Sequence, residues 1–245
     1  MKLLALDTAS GQCSVALLLD GQLLGRSTLT AREHAQLLLP MVDALLAEGG
    51  VTLRSLDGIA FGCGPGSFTG VRIAASVTQG LAAGAGLPVL PVSDLRALAE
   101  GARVAFADAP ARGCLLACMD ARMGELYWGV FDDHGQPVGL ARDGERLSTP
   151  AALLEALPAA LPSGALLRAA AGMGLSAYPS LLNASGLDPS RCHPQAEPHA
   201  ADIARLAASD LAAGATWLDA ALAQPVYLRD KVVQAPLRDA VTVLS

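Results

Sequence analysis

The 245-residue sequence predicts an α/β fold of two related halves, each a mixed sheet joined by crossover helices. Three observations carry that expectation. The chain opens on three short apolar stretches separated by turn residues. Helical and strand-like stretches then alternate, as they must if later strands are to run parallel to the first. Finally, the opening pattern returns near residue 113.

The first half reads element by element. Leu3–Leu6 and Cys13–Leu19 are apolar runs, and Asp20-Gly21 before Gln22-Leu23-Leu24 is a strong hairpin signal, so three antiparallel strands come in a row. A helical stretch runs from Arg32 to about Ala47 and stops at Gly49-Gly50. A strand around Gly58–Phe61, a glycine-rich turn, a second helix over about Val71–Ala83 and a strand at Pro88–Val92 follow.

The repeat sets Leu115-Leu116-Ala117-Cys118-Met119-Asp120 beside Leu3-Leu4-Ala5-Leu6-Asp7, with Gly124 spaced from Asp120 as Gly11 is from Asp7. Leu126–Phe131 matches the second strand, and Asp133-His134-Gly135-Gln136 matches Asp20-Gly21-Gln22 with one residue inserted. The pattern breaks between Arg103 and Arg112, which divides the chain into an N-terminal half, 1–105, and a C-terminal half, 106–245. Thr149-Pro150 is a good cap and first-turn pair for a helix over about Ala151–Leu157, and another helix is expected over His199–Ala213.

Composition narrows the function. Hydrophobic residues at 52 %, charged residues at 16 %, and only 25 Gly and 15 Pro exclude a disordered chain. The net charge of −6, with no basic run, disfavours direct salt-driven binding of nucleic acid. Leu3–Leu6 is too short for a signal-peptide core. The charge-free stretch Ile73–Ser93 is interrupted by Gln79, Gly80, Gly84, Gly86, Pro88 and Pro91, so no membrane span is expected. Five cysteines without a CxxC pair fit reduced thiols in a cytoplasmic protein.

Gly64, Pro65, Gly66, Ser67, Thr69 and Gly70 lie between a strand and a helix, where backbone N–H groups can receive an anion. No Lys-Ser/Thr follows and the spacing is not GxGxxG, so the segment reads as a structural turn that lets strand and helix pack closely. Asp7 and Asp120 end matching strands, where a carboxylate either caps the next turn or serves a phosphate site. Their neighbouring loops lack a glycine-rich cradle, so the pair reads as a vestigial cleft. His34, His134, His193 and His199 are scattered, and no metal site is expected.

The helix over Arg32–Ala47 spreads Ala35, Leu38, Leu39, Met41, Val42, Leu45 and Leu46 over a wider arc than the ~100° stripe a single core contact needs. The helix over Val71–Ala83 carries small residues, Ser76, Gly80 and Gly84 among them, that let another helix approach closely. Two such helices suggest an intermolecular bundle.

Asp7-Thr8-Ala9, Arg32-Glu33-His34, Gly64-Pro65-Gly66-Ser67-Phe68-Thr69-Gly70-Val71-Arg72-Ile73, Asp120–Trp128 and Pro225-Val226-Tyr227-Leu228-Arg229 together resemble the bacterial TsaB (YeaZ) family. The resemblance implies a duplicated actin-like (ASKHA), ribonuclease H-like fold. It also implies a noncatalytic, peptidase M22-like scaffold in making N6-threonylcarbamoyladenosine in tRNA. The TsaD paralogue transfers the group, the TsaE ATPase joins the complex, and tRNA is met only through it. The family docks through its first two helices. The expected interface is therefore His34, Leu37, Leu38, Met41, Val42 and Leu45 with Val71, Ala74, Ala75, Thr78, Leu81 and Ala82. In isolation the same surface would make a homodimer. A charge at Leu38 or Ala75 is then expected to weaken docking without unfolding the chain. No intrinsic cofactor is implied, with ATP or ADP expected only at the joint with the partners. The alternative of a different class is an actin-like-fold ATPase or glycopeptidase-like hydrolase.

Overall fold

A computed structural model of the chain describes residues 1–30, 33–107, 113–138, 144–184 and 186–229. The expected helix start at Arg32 and the later part of the Arg103–Arg112 boundary lie outside the described residues. Strands β1 (Lys2–Asp7), β2 (Gln12–Leu19) and β3 (Gln22–Leu29) form the expected antiparallel meander. Asp20 and Gly21, at φ 49° and 93°, make the two-residue turn between β2 and β3, whose twist matches that of the flanking strands.

Helix α1 (His34–Glu48), strand β4 (Gly58–Gly62), helix α2 (Phe68–Ala85) and strand β5 (Val89–Val92) continue the chain, with β4 parallel to β1 and β5 parallel to β4. The first sheet has the order β3-β2-β1-β4-β5.

The second half repeats this plan. Strands β6 (Cys114–Arg122), β7 (Glu125–Phe131) and β8 (Glu145–Ser148) are antiparallel, and β9 (Leu167–Ala171) and β10 (Cys192–His193) add in parallel. Its order is β10-β9-β6-β7-β8, the same 3-2-1-4-5 arrangement with corresponding strands. Helices α4 (Pro150–Ala160), α5 (Met173–Ala177) and α6 (Ser180–Ala184) supply the connections. This duplicated ribonuclease H-like order is the actin-like fold class expected. Asp132–Gln136 does close a tight turn, but β8 begins only at Glu145, so the insertion in the second hairpin exceeds the single residue read from sequence.

Helix α7 (Ala200–Ala212) matches the helix expected over His199–Ala213, and helix α3 (Asp94–Ala105) adds to the expected elements. Period-2 alternation sends Leu4 and Leu6 of β1 to one face and Leu3 and Ala5 to the other. The Leu4/Leu6 face packs on α1 and α2 through Leu38, Val42, Leu45, Ala75 and Ala82. The Leu3/Ala5 face packs on α7 through Ala200, Ile203, Ala204 and Ala207. In the second sheet, Leu116, Cys118 and Trp128 pack on α4, whereas Leu115, Ala117 and Phe131 pack on Leu95, Leu98, Ala99 and Ala102 of α3. The two linear halves thus exchange helices: α3, encoded with the first, covers the second sheet, and α7, encoded with the second, covers the first. Arg96 fastens the exchange, forking onto both carboxylate oxygens of Asp210 at 2.9 and 3.0 Å and donating to Gly135 O at 2.8 Å. Among the described residues no helix is long and apolar enough to cross a membrane.

Candidate functional site

The turn from β4 into α2 is built against the end of β1. Thr8 Oγ1 donates to Gly70 O at 2.7 Å, and Ser67 N donates to Ala9 O at 2.7 Å. A Cβ at Gly70 would run into Thr8 O, and one at Gly66 would lie 2.5 Å from Ala9 O, so glycine is what permits this approach. Gly64, at φ 111°, precedes a cis peptide to the buried Pro65. Ser67 caps α2 by accepting from Gly70 N at 3.4 Å, and Thr69 is exposed. Ser67 N and the Gly70 N–H and C=O are thus taken up by bonds within the chain, as in a structural turn.

Asp7 is fully buried and does not line the cleft between the halves. Its Oδ1 accepts from Ala9 N at 2.8 Å, while Oδ2 has no partner among the described residues. Its neighbour is Asp94, a residue the sequence reading missed, in the first turn of α3. Asp94 Oδ2 accepts from Gly64 N at 2.5 Å and its Oδ1 is likewise orphaned. Two buried carboxyls within hydrogen-bonding reach, each with an unsatisfied acceptor, are reconciled by one shared proton. Burial pushes Asp7 up to about 7, and burial followed by the charge of Asp7 pushes Asp94 well above the usual carboxylate range. The Ser93-Asp94 start of an amphipathic stretch was a helix signal available in the sequence.

Asp120 does line the cleft, but its carboxylate is occupied, accepting from Arg122 N at 2.9 Å and pairing with Arg122 Nη1 at 3.0 Å. The expectation that Asp7 and Asp120 share one cleft is therefore corrected: Asp120 lines the open space, and Asp7 is buried away from it. The cleft itself measures about 1090 Å³ and is lined by Ser10, His34, Phe68, Tyr127 and Glu197 with Asp120. Among the described residues no three His, Cys, Asp or Glu side chains group as metal ligands.

The helices expected to dock a partner turn different side chains outward from those named above. His34, Leu38, Val42, Leu45, Val71, Ala74, Ala75, Thr78 and Ala82 are all buried inside the chain, and Leu37, Met41 and Leu81 are half-buried. His34 Nε2–H donates to Ser10 O at 3.1 Å, an internal bond. The wide apolar arc of α1 is largely consumed by the sheet, because the core contact extends round to Leu45 and Leu46. The exposed positions include Ala35, Gln36, Leu39 and Asp43 of α1 and Phe68, Arg72, Ser76, Gln79, Gly80 and Gly84 of α2. Leu39 is 44 % and Phe68 42 % exposed, so each helix keeps an apolar side chain partly in solvent. The expectation that a charge at Leu38 or Ala75 spares the fold is corrected on the same ground, since both side chains lie in the core.

The Pro225–Arg229 motif lies against this surface. Val226 N donates to Cys63 O at 2.6 Å, and Arg229 reaches the second half, donating to Ala121 O at 3.1 Å and Glu125 Oε2 at 2.7 Å.

Comparison with known proteins gives consistent results. Residues 28–235 match the family model described as TsaD, tRNA N6-adenosine threonylcarbamoyltransferase. The chain is 39 % identical over 235 residues to the tRNA threonylcarbamoyladenosine biosynthesis protein TsaB of Escherichia coli K12, covering 95 % of this chain and 96 % of that protein. It is 48 % identical over 128 residues to TsaB of Haemophilus influenzae, 52 % of each chain. Among solved structures it is similar to YeaZ from Pseudomonas aeruginosa, with a TM-score of 0.78 and 40 % identity over 93 % of this chain and 99 % of that one.

Proposed function

Since the chain belongs to the TsaB family of tRNA threonylcarbamoyladenosine biosynthesis proteins, we propose that it acts there as a noncatalytic scaffold. In this reading it docks on the TsaD paralogue through the outer faces of α1 and α2, with the TsaE ATPase joining the pair. tRNA is met only through the complex, and ATP or ADP binds only at the joint with the partners.

The observation that carries the reading is the state of the two strand-end carboxylates. Asp7 is fully buried beside Asp94, and Asp120 accepts from Arg122 N and pairs with the exposed Arg122 guanidinium, so both carboxylates are engaged within the chain. On α1 and α2, in contrast, Leu39 and Phe68 remain 44 % and 42 % exposed.

The test is light scattering after size exclusion on this chain, on its TsaD paralogue and on their mixture, with ATP hydrolysis assayed on this chain alone. A heterodimer without turnover by this subunit is the expected result. Failure to associate, together with hydrolysis of ATP or a peptide by this chain, would overturn the scaffold reading in favour of a hydrolase.

A further inference from the structure

The outward face of α2 holds one side chain whose geometry is fixed in advance of any partner. Arg72 lies with its guanidinium carbon 3.6 Å from the centroid of the Phe68 ring and 5.4 Å from that of Tyr227. The two rings are themselves 5.8 Å apart. Arg72 Nε donates to Tyr227 Oη at 2.7 Å, and the Nη groups have no partner among the described residues. Tyr227 is in turn held by the backbone bond from Val226 to Cys63 and by Arg229, which grips the second half. Phe68, Val226 and Tyr227 are nevertheless 42–47 % exposed. An exposed arginine is ordinarily a mobile side chain; this one is clamped by stacking and a hydrogen bond, with the outer edge of its fork free.

Beside it runs a groove of about 400 Å³ between α1 and α2, lined by Ala35, Phe68, Ile73, Ser76 and Val77. Arg72 is the one charged residue that lines this groove among the described residues. Further along α2, a Cβ at Gly80 or Gly84 would meet nothing, so the helix surface is flat and open to a second helix. A single cation in an apolar setting does not suit a polyanion, which is held by several cations at once. It suits an apolar protein surface carrying one carboxylate, which the guanidinium fork engages with two parallel bonds.

We infer that Arg72, clamped between Phe68 and Tyr227, is the anchor of the docking face, and that the partner presents to it an Asp or Glu flanked by apolar side chains. The inference rests on the docking reading above and adds the chemistry of the partner's surface. Because Arg72 is the one charged residue lining the groove among the described residues, a partner carboxylate finds its pairing partner at that point and the cation fixes the register. Residues 225–229 belong to the same interface, because they hold the second ring.

The experiment titrates the TsaD paralogue against the full-length chain and its Arg72→Ala, Arg72→Lys, Arg72→Glu and Tyr227→Phe variants by calorimetry. Thermal unfolding of each variant is recorded in parallel. Arg72→Ala is expected to weaken binding at least about tenfold, as buried interfacial arginines do. Arg72→Lys should lose nearly as much, because an ammonium neither forks nor stacks equally well. Tyr227→Phe should lose about threefold, keeping the ring but not the bond to Nε. Reversing one partner carboxylate to arginine should restore binding to Arg72→Glu.

Arg72→Ala binding within twofold of the parent chain, with a lowered unfolding temperature, would show that the clamp serves only the fold and would overturn the inference. So would inorganic phosphate or tRNA competing for Arg72 more effectively than the partner protein does. If the unmutated chain does not bind the paralogue at all, the docking reading itself has failed, an outcome visible before any variant is made.

Discussion

Leu38 and Leu39 are neighbours on α1 with opposite fates, and the contrast sets the first prediction. Leu38 is fully buried against the first sheet and Leu39 is 44 % exposed. Leu38→Ala removes packed methylenes and is expected to cost ~2–5 kcal/mol, with Leu38→Asp unfolding the chain, both measured by urea denaturation. Leu39→Asp is expected to change stability by under ~0.5 kcal/mol while lowering affinity for the TsaD paralogue. Equal stability losses at the two positions would contradict the assignment of faces.

The carboxyl pair gives a pH prediction. Asp7, whose ordinary value is near ~3.9, is pushed by burial up to about 7. Across that window the native state keeps a proton the unfolded chain releases, so stability falls as pH rises from about 4 to about 7; below the window the two states bind protons equally. Asp94→Asn retains an acceptor for Gly64 N–H and adds an N–H donor toward the orphaned oxygen of Asp7. Between pH 5 and 8 the parent chain should lose stability and the variant much less, ending the more stable of the two at pH 8. Parallel stability curves would exclude a shared proton.

Among the elements, the turn between β4 and α2 is the least tolerant of change. Four of its positions bring backbone to backbone: Gly64 toward Val226 O, Gly66 toward Ala9 O, Gly70 toward Thr8 O, and Ser67 N onto Ala9 O. Gly70→Ala places a methyl group on the Thr8 carbonyl, with rigid backbone on both sides. The expected outcome is a loss of more than ~3 kcal/mol or failure to fold, read by the urea midpoint. Gly80→Ala, at the open surface of α2, should stabilise by about 0.5–1 kcal/mol through lower unfolded-state entropy and better helix propensity, and it separates local propensity from close approach. The sequence already marked the 64–70 segment as a close-packing turn rather than an anion cradle. It did not mark Asp94, because a partner carboxylate on another element leaves no periodicity.

At the scale of the molecule, the exchange of α3 and α7 makes each sheet depend on residues from the other end of the chain. Without α7, the Leu3, Ala5, Ala16 and Ala60 face of the first sheet loses the cover of Ala200, Ile203, Ala204 and Ala207. Residues 1–105 expressed alone are therefore expected to lack a cooperative unfolding transition, and α3 in that fragment would have no sheet to cover. Co-expression with residues 106–245 should restore a transition. A fragment 1–105 with sharp thermal unfolding and dispersed amide resonances would show instead that α7 is dispensable to the first half.

The sequence by itself determined the elements of local origin and their duplication. Alternation of two, helical periodicity, the Asp20-Gly21 turn and the Leu115–Asp120 repeat are all short-range patterns, legible because each depends on residues a few positions apart. The GPGSFTGVRI and DARMGE strings likewise carried the family. Only the tertiary structure decided which face of α1 and α2 is outward, that α3 covers the second sheet, and that Asp7 meets Asp94 rather than Asp120. Those outcomes follow from long-range packing, in which a wide apolar arc is compatible with either a sheet or a partner. The choice falls to whichever surface lies near enough to exclude water from it.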